Sequence, residues 1–294
     1  MVAKNEEQIT NTSTNNNNNK KNKKMPYGQL VLGPPGSGKT TYSCGMREFM
    51  RLMDRRVVVV SLDPANGRFW SSDLEDNDKT DLVDIEELVS ADRVAKELHL
   101  GPNGSMIFCI EFLQSHIAWL VNKINSFDRN VYFLIDLPGQ VELVTHHTAI
   151  ASIVYELRKQ CNLQLCAVHL VDSSICTDAG KFISSVLLSL ITMIRLELPH
   201  INVLSKVDLL QADALDFPLE FYTEMYNPSL LIDVLKSSSA GGARFAEKHR
   251  KLNEALLELI ETHQLVAFST LNVQDPESMM NIYHQTQKAL GLEM

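Results

Sequence analysis

Gly33-Pro34-Pro35-Gly36-Ser37-Gly38-Lys39-Thr40 follows directly on the apolar run Leu30-Val31-Leu32. A strand that ends in a glycine-rich loop and opens into a helix is the context that gives this pattern physical meaning. The glycines allow a tight backbone path that turns successive N–H groups inward around a phosphate. Lys39 would reach the terminal phosphates, Thr40 would place its hydroxyl on Mg²⁺, and the helix starting near Gly38 adds the positive end of its dipole. Gly36, Ser37, Gly38, Lys39, Thr40 and Thr41 are therefore the candidate nucleotide-binding residues of this segment.

From Tyr27 onward, apolar runs alternate with segments of helical period. Gln29–Leu32, Arg56–Leu62, Val131–Ile135, Leu163–Val171, Ile201–Leu204 and Leu265–Phe268 read as strands. Helices are expected over about Lys39–Met53, Leu82–Leu98, Ile107–Ile124, Val144–Gln160, Asp178–Leu196 and Ala246–His263. Unbroken β-branched runs such as Val57-Val58-Val59-Val60 suit strands covered on both faces. The alternation predicts an α/β fold of the P-loop NTPase type, a mainly parallel sheet with helices on both faces. Residues 209–262 show no convincing strand and read as a helical insertion before the last one. Residues 25–294 form the domain, and the Asn/Lys-rich residues 1–24 read as a disordered tail. Ser71–Glu87, with eight acids against Lys79, reads as a solvated loop leading into a helix.

Asp136-Leu137-Pro138-Gly139-Gln140 closes the run Val131–Ile135. An aspartate at a buried strand end beside a phosphate loop can hold Mg²⁺, usually through water. The Gly139 N–H can reach a γ phosphate, and Gln140 can orient an attacking water. Ser205-Lys206-Val207-Asp208 follows the strand Ile201–Leu204 and has the form of a guanine-reading box. The Asp208 carboxylate can accept from guanine N1–H and the exocyclic amine, a donor pair that adenine lacks. The Lys206 stem can lie over the base plane. Gly101-Pro102-Asn103 reads by composition as a turn between two helices.

The phosphate loop, Leu-Gly-Pro-Asn-Gly at 100–104, D-x-P-G-Q-V-E at 136–142 and Ser61-Leu62-Asp63-Pro64-Ala65-Asn66 together resemble a GPN-loop GTPase. The stretches 167–173, 181–184 and 197–208 are most similar to the second of the three eukaryotic paralogues. The resemblance runs from about residue 26 to near the end, and departs at Ser105 and in the acidic stretch Asp73–Asp81. It implies a GTP/GDP-binding, Mg²⁺-dependent hydrolase that works as a homodimer, or as a heterodimer with paralogues. Asn103 of each subunit would enter the other's site, and Asp63, Gln140 and Glu142 would organise magnesium and the attacking water, with Glu142 also readable as a helix-start carboxylate. It further implies help in RNA polymerase assembly and nuclear import through polymerase subunits or assembly factors, from the cytoplasm with shuttling to the nucleus.

A formal charge of −9 becomes −12 once residues 1–24 are set aside, a poor surface for direct nucleic-acid contact. No apolar run approaches the ~20 residues of a membrane span, so no membrane contact is expected. The five cysteines lack a C-x-x-C pair and read as buried thiols of a reduced compartment. His146-His147 read as capping or interface residues without an acidic partner, and Trp70 and Trp119 as packing anchors. Ser269-Thr270-Leu271 is the candidate for base-side contact after the last strand. Two other functions share these motifs. A nucleotide kinase would need an arginine-bearing lid, for which residues 209–262 offer only Arg244 and Arg250. A non-hydrolysing adaptor would hold GTP as a structural ligand.

Overall fold

The computed structural model describes residues 25–66, 70, 79–225, 227–231, 234, 242–263 and 266–292. The expected tail, residues 71–78 of the acidic stretch and parts of the segment 209–262 lie outside them. Strand β1 (Tyr27–Leu32) leads through the glycine-rich loop into α1 (Lys39–Leu52), then β2 (Val57–Ser61) and β3 (Leu82–Asp84). Helices α2 (Ala91–Leu98), α3 (Pro102–Ser115) and α4 (Ile117–Asn125) precede β4 (Tyr132–Asp136). After it come α5 (Val141–Thr145), α6 (Ala149–Cys161), β5 (Gln164–Asp172), α7 (Ala179–Leu196) and β6 (His200–Ser205). Helices α8 (Leu219–Glu224) and α9 (Gly242–His263) lead to β7 (Phe268–Leu271) and α10 (Pro276–Ala289).

The seven strands run in the order β3-β2-β4-β1-β5-β6-β7, with every pairing parallel. Parallel strands need crossover helices, and those helices cover both faces. This is why Val57–Val60 are buried on both sides. Leu30, Val58 and Phe133 pack under α3, α4 and α6, while Val31 and Leu134 pack under α1 and α10. A third cluster joins α7 and α9 to the far end of the sheet through Phe182, Tyr222 and Phe268.

Gln29 in the central strand is the polar exception. Its amide donates to Thr286 at 3.1 Å and its carbonyl accepts from Tyr42 at 2.7 Å, so a buried polar residue is fully used to fix α1 and α10 to β1. This braces the strand that carries the phosphate loop.

The structure corrects the sequence reading at four places. Leu82–Asp84 is an edge strand, not the start of a helix. The expected helix 107–124 is two helices meeting at 68° around His116. Gly101-Pro102-Asn103 is not a turn between helices but the start of α3, with Gly101 extended at the cap and Pro102 in the first turn, where its missing N–H is harmless. The last strand starts at Phe268, beyond most of Leu265–Phe268. Helix α7, 18 residues long and apolar enough to pass for a membrane span by length and composition alone, packs against the sheet with α5 and α9.

Candidate nucleotide-binding site

The residues singled out in the sequence gather at the carboxyl ends of the strands, where open parallel sheets place their ligands. Gly33 leaves β1 with φ 145°, and a Cβ there would stand 2.1 Å from the Leu170 carbonyl oxygen, so glycine alone fits. Gly38 caps α1 with φ 84°, in the left-handed region. Ser37 is fully buried, and its N–H donates to the Pro34 carbonyl at 3.2 Å. Thr41 lies one residue past Thr40, exposed on the first turn of α1.

Lys39 is 7% exposed and folds back onto the Pro34 carbonyl at 3.2 Å. Burial lowers its pKa, while Asp136 and Asp63 push the other way. A buried ammonium beside two carboxylates is a cation held ready for a stronger anion. The Thr40 hydroxyl donates to Asp136 at 3.3 Å and accepts from the Asn66 amide at 3.1 Å. Asn66 also donates to Asp63 at 3.3 Å, and the Ala65 N–H donates to Asp63 at 3.0 Å. Thr40, Asp63, Asn66 and Asp136 thus form one polar knot.

Asp136 is fully buried, and burial pushes its carboxyl up to about 7, with Asp63 adding to the rise and Lys39 and Thr40 opposing it. The fully buried Trp70 indole approaches it, yet Oδ1 lacks a partner at full hydrogen-bond geometry. Asp63 is raised too, chiefly by burial. Two buried acids short of positive charge beside a threonine hydroxyl form a donor set suited to a hard divalent cation. Asp84 ends β3 beside them and is pushed up to about 6 by burial.

Gly139 is pressed against the phosphate loop: a Cβ there would come 2.8 Å from Lys39 Nζ and 3.2 Å from Pro35. Gln140 caps α5, and its buried Oε1 has no hydrogen-bond partner among the described residues. Its side chain lines a small hollow with Gly33, Pro34 and His169. Glu142, in the first turn of α5, accepts from Asn103 of the same chain across 3.4 Å. Asn103 is exposed. His147, expected without an acidic partner, pairs with Glu111 at 3.3 Å. Trp119 is half-buried against the core, with Lys123 over its ring.

The base loop is tied to the phosphate loop directly. Lys206 Nζ donates to the Gly36 carbonyl at 2.6 Å and to Asp172 at 2.7 Å, from a backbone held at φ 60°, rare for a residue with a side chain. Ser205 donates to the Ser37 carbonyl at 2.8 Å. Burial raises the Asp172 carboxyl, but bonds from Lys206 and Ser174 outweigh it and leave it below its ordinary value. Asp208 is exposed at a hollow of about 140 Å³ lined by Gly38, Thr41, Lys206 and the segment Leu271–Gln274. Of the expected Ser269-Thr270-Leu271, Leu271 lines it and Ser269 and Thr270 do not; Asn272, Val273 and Gln274 complete that wall. Asn66, Asp84 and Asp172 were likewise missed, since only the folded chain brings them to the site.

A family model described as a conserved hypothetical ATP binding protein matches residues 31–292. GPN-loop GTPase 2 of Danio rerio is 47% identical, with 91% of this chain and 81% of that protein covered. GPN-loop GTPase QQT1 of Arabidopsis thaliana is 43% identical, with 91% and 86% covered. A GTPase from Pyrococcus abyssi solved in its apo form shares the fold at a TM-score of 0.66 and 21% identity, with 90% of this chain and 97% of that one covered. The extent and identity of these matches place the sequence among them: the chain belongs to the GPN-loop GTPase family.

Proposed function

We propose that this chain hydrolyses GTP to GDP and phosphate with Mg²⁺, in a site completed by a second copy or a paralogue. The observation that carries the chemistry is the convergence of Lys39, Thr40, Asp136 and Gly139 at one end of the sheet, with Asp208 at a separate hollow reached along the same loop. The names of the relatives support a GTPase.

In this reading a water oxygen bonds to the γ phosphorus as the bond to the β–γ bridging oxygen breaks. Lys39 leaves the Pro34 carbonyl for the phosphates, and the Gly139 N–H binds the γ group. Gln140 and Glu142 hold the water, and Asp63 keeps Thr40 and Asn66 in place. Mg²⁺, held by Thr40 and Asp136, would neutralise charge on the β and γ oxygens. The family description that mentions ATP is set against Asp208: adenine gives its carboxylate no donor pair, so guanine is favoured.

Asn103 is exposed on the first turn of α3, with one long contact to Glu142, which leaves it free to serve a neighbouring subunit. Lacking charge, it would accelerate hydrolysis less than an arginine finger does, by about 10²-fold. The family resemblance further suggests protein clients, namely RNA polymerase subunits or their assembly factors, met in the cytoplasm before nuclear delivery.

The test is phosphate release from GTP by the chain alone. Hydrolysis without an acceptor is expected; activity that appears only with an acceptor nucleotide points to a kinase instead. Mixing Asn103→Ala with Lys39→Ala protein should restore one working composite site per heterodimer. Absence of rescue sinks the shared site, and turnover indifferent to Asn103→Ala and Gln140→Ala points to an adaptor.

A further inference from the structure

We infer that Gly45, a residue of α1 outside both nucleotide loops, sets the position of the base hollow's wall and so governs how tightly the chain holds guanine. The inference rests on assigning the hollow beside Asp208 to the base. Gly45 sits in the interior of a helix of 14 residues, where glycine is a poorer helix former than alanine. Its surroundings explain its presence. A Cβ at Gly45 would stand 2.6 Å from Val273 Cγ1 and 3.6 Å from Met279 Cε. Val273 lines the base hollow between Asn272 and Gln274, and Thr41, one turn before Gly45 on the same face of α1, lines it too.

The missing side chain therefore lets the segment after β7 settle directly onto α1. That segment has little slack. The Asn272 N–H donates to Ser278 Oγ at 3.0 Å, and the Gln274 N–H donates to Asn272 Oδ1 at 3.0 Å. The Asp275 N–H donates to the Asn272 carbonyl at 3.2 Å, and Asp275 in turn caps α10. Valine is stiff at χ1, so a methyl at position 45 would be met by movement of the whole wall. Gly45 is thus a positioning residue: it touches no nucleotide and acts through Val273.

The experiment uses the full chain with Mg²⁺ and compares fluorescent GDP and ADP analogues by equilibrium titration and by dissociation rate. Gly45→Ala should weaken GDP about tenfold, mainly through faster release, and narrow the preference for GDP over ADP. Gly45→Ala with Val273→Ala removes the clashing methyl and should recover most of the GDP affinity. A double variant weaker than Gly45→Ala, as generic core damage would give, overturns the inference, as does unchanged affinity in Gly45→Ala. Should Gly45→Ala fail to fold, Val273→Ile crowds the same contact from the other side and should weaken GDP in the same direction; no change there is equally fatal. Asp208→Asn separates the two levels. If it leaves the GDP preference intact, the base assignment falls and this inference with it; if it abolishes the preference while Gly45→Ala does not alter it, only the role of Gly45 falls.

Discussion

The Ser205 hydroxyl donates to the Ser37 carbonyl at 2.8 Å, joining loops 168 positions apart in sequence. The same oxygen lies 3.1 Å from the Val171 carbonyl, so one small side chain ties β6, β5 and the phosphate loop together at a point closed to water. The bond makes the base loop and the phosphate loop one mechanical unit.

Ser205→Ala should therefore act on stability and ligand binding together. It leaves the Ser37 carbonyl short of its donor at a buried point, a loss of about 1–3 kcal/mol. Urea unfolding should show an earlier midpoint with an unchanged slope, and GDP titration should show weaker binding. A variant as stable as the parent would mean that the bond contributes nothing net.

Gly139→Ala places a methyl 2.8 Å from Lys39 Nζ and against Pro35. The contact forms where a γ phosphate would bring the two segments together, so GTP should suffer more than GDP. Single-turnover hydrolysis is expected to fall by more than about tenfold, with a smaller change in GDP affinity. Equal losses for both nucleotides would place the damage in Lys39 alone.

Asp136 gives the nucleotide-free protein a stability that falls with rising pH. Its folded pKa, about 7, lies above the ordinary carboxylate value, so the folded state holds a proton that the unfolded chain releases. Stability is greatest below about pH 4 for this group and declines as pH rises to about 7. Asp136→Asn should raise apo stability at pH 7 by on the order of 2–4 kcal/mol and abolish the tightening of nucleotide binding by Mg²⁺. Urea unfolding at pH 5 and pH 7, with and without the substitution, reads the first effect directly.

A pair of histidines, His169 buried and His200 half-buried, works in the opposite sense. Burial lowers His169 to about 4 and His200 to about 3, the latter with help from the His169 ring beside it. The unfolded chain takes up protons from about pH 6.5 downward while the folded state resists, so stability is lost as pH falls through this range. Each ring contributes a slope of about 1.4 kcal/mol per pH unit. His169→Gln, compared with its parent in the Asp136→Asn background, should remove about one ring's share. An unchanged slope would show that His169 is protonated in the folded state.

Motifs whose geometry is local were legible in the sequence. The phosphate loop is set by glycines that must turn and a lysine that must follow them, and its strand, loop and helix lie where the pattern placed them. Gln29 and its partners Tyr42 and Thr286 were not legible, because a polar residue in a strand reveals nothing of the helices that will satisfy it. Strand β3 escaped because three residues amid acids carry too little period to register, and only pairing with Val59–Ser61 makes them a strand. Gly-Pro at 101–102 was read as a breaker, yet the same dipeptide suits a helix start, and packing decided between the two. At the base hollow, the wall at Asn272–Gln274 depends on the end of an edge strand, whose position one-sided pairing specifies weakly.

The strand order has a consequence for how a ligand would leave. β1, which launches the phosphate loop, is the middle strand of seven and is clamped by β4 and β5. β7, which launches the far wall of the base hollow, is the rim strand and pairs with β6 alone. A nucleotide would sit between a jaw held by strands on both sides and one held by a strand on a single side. Release should begin as a peeling motion at the purine while the phosphates are still gripped, so that whatever presses on the rim of the sheet sets the clock for exchange.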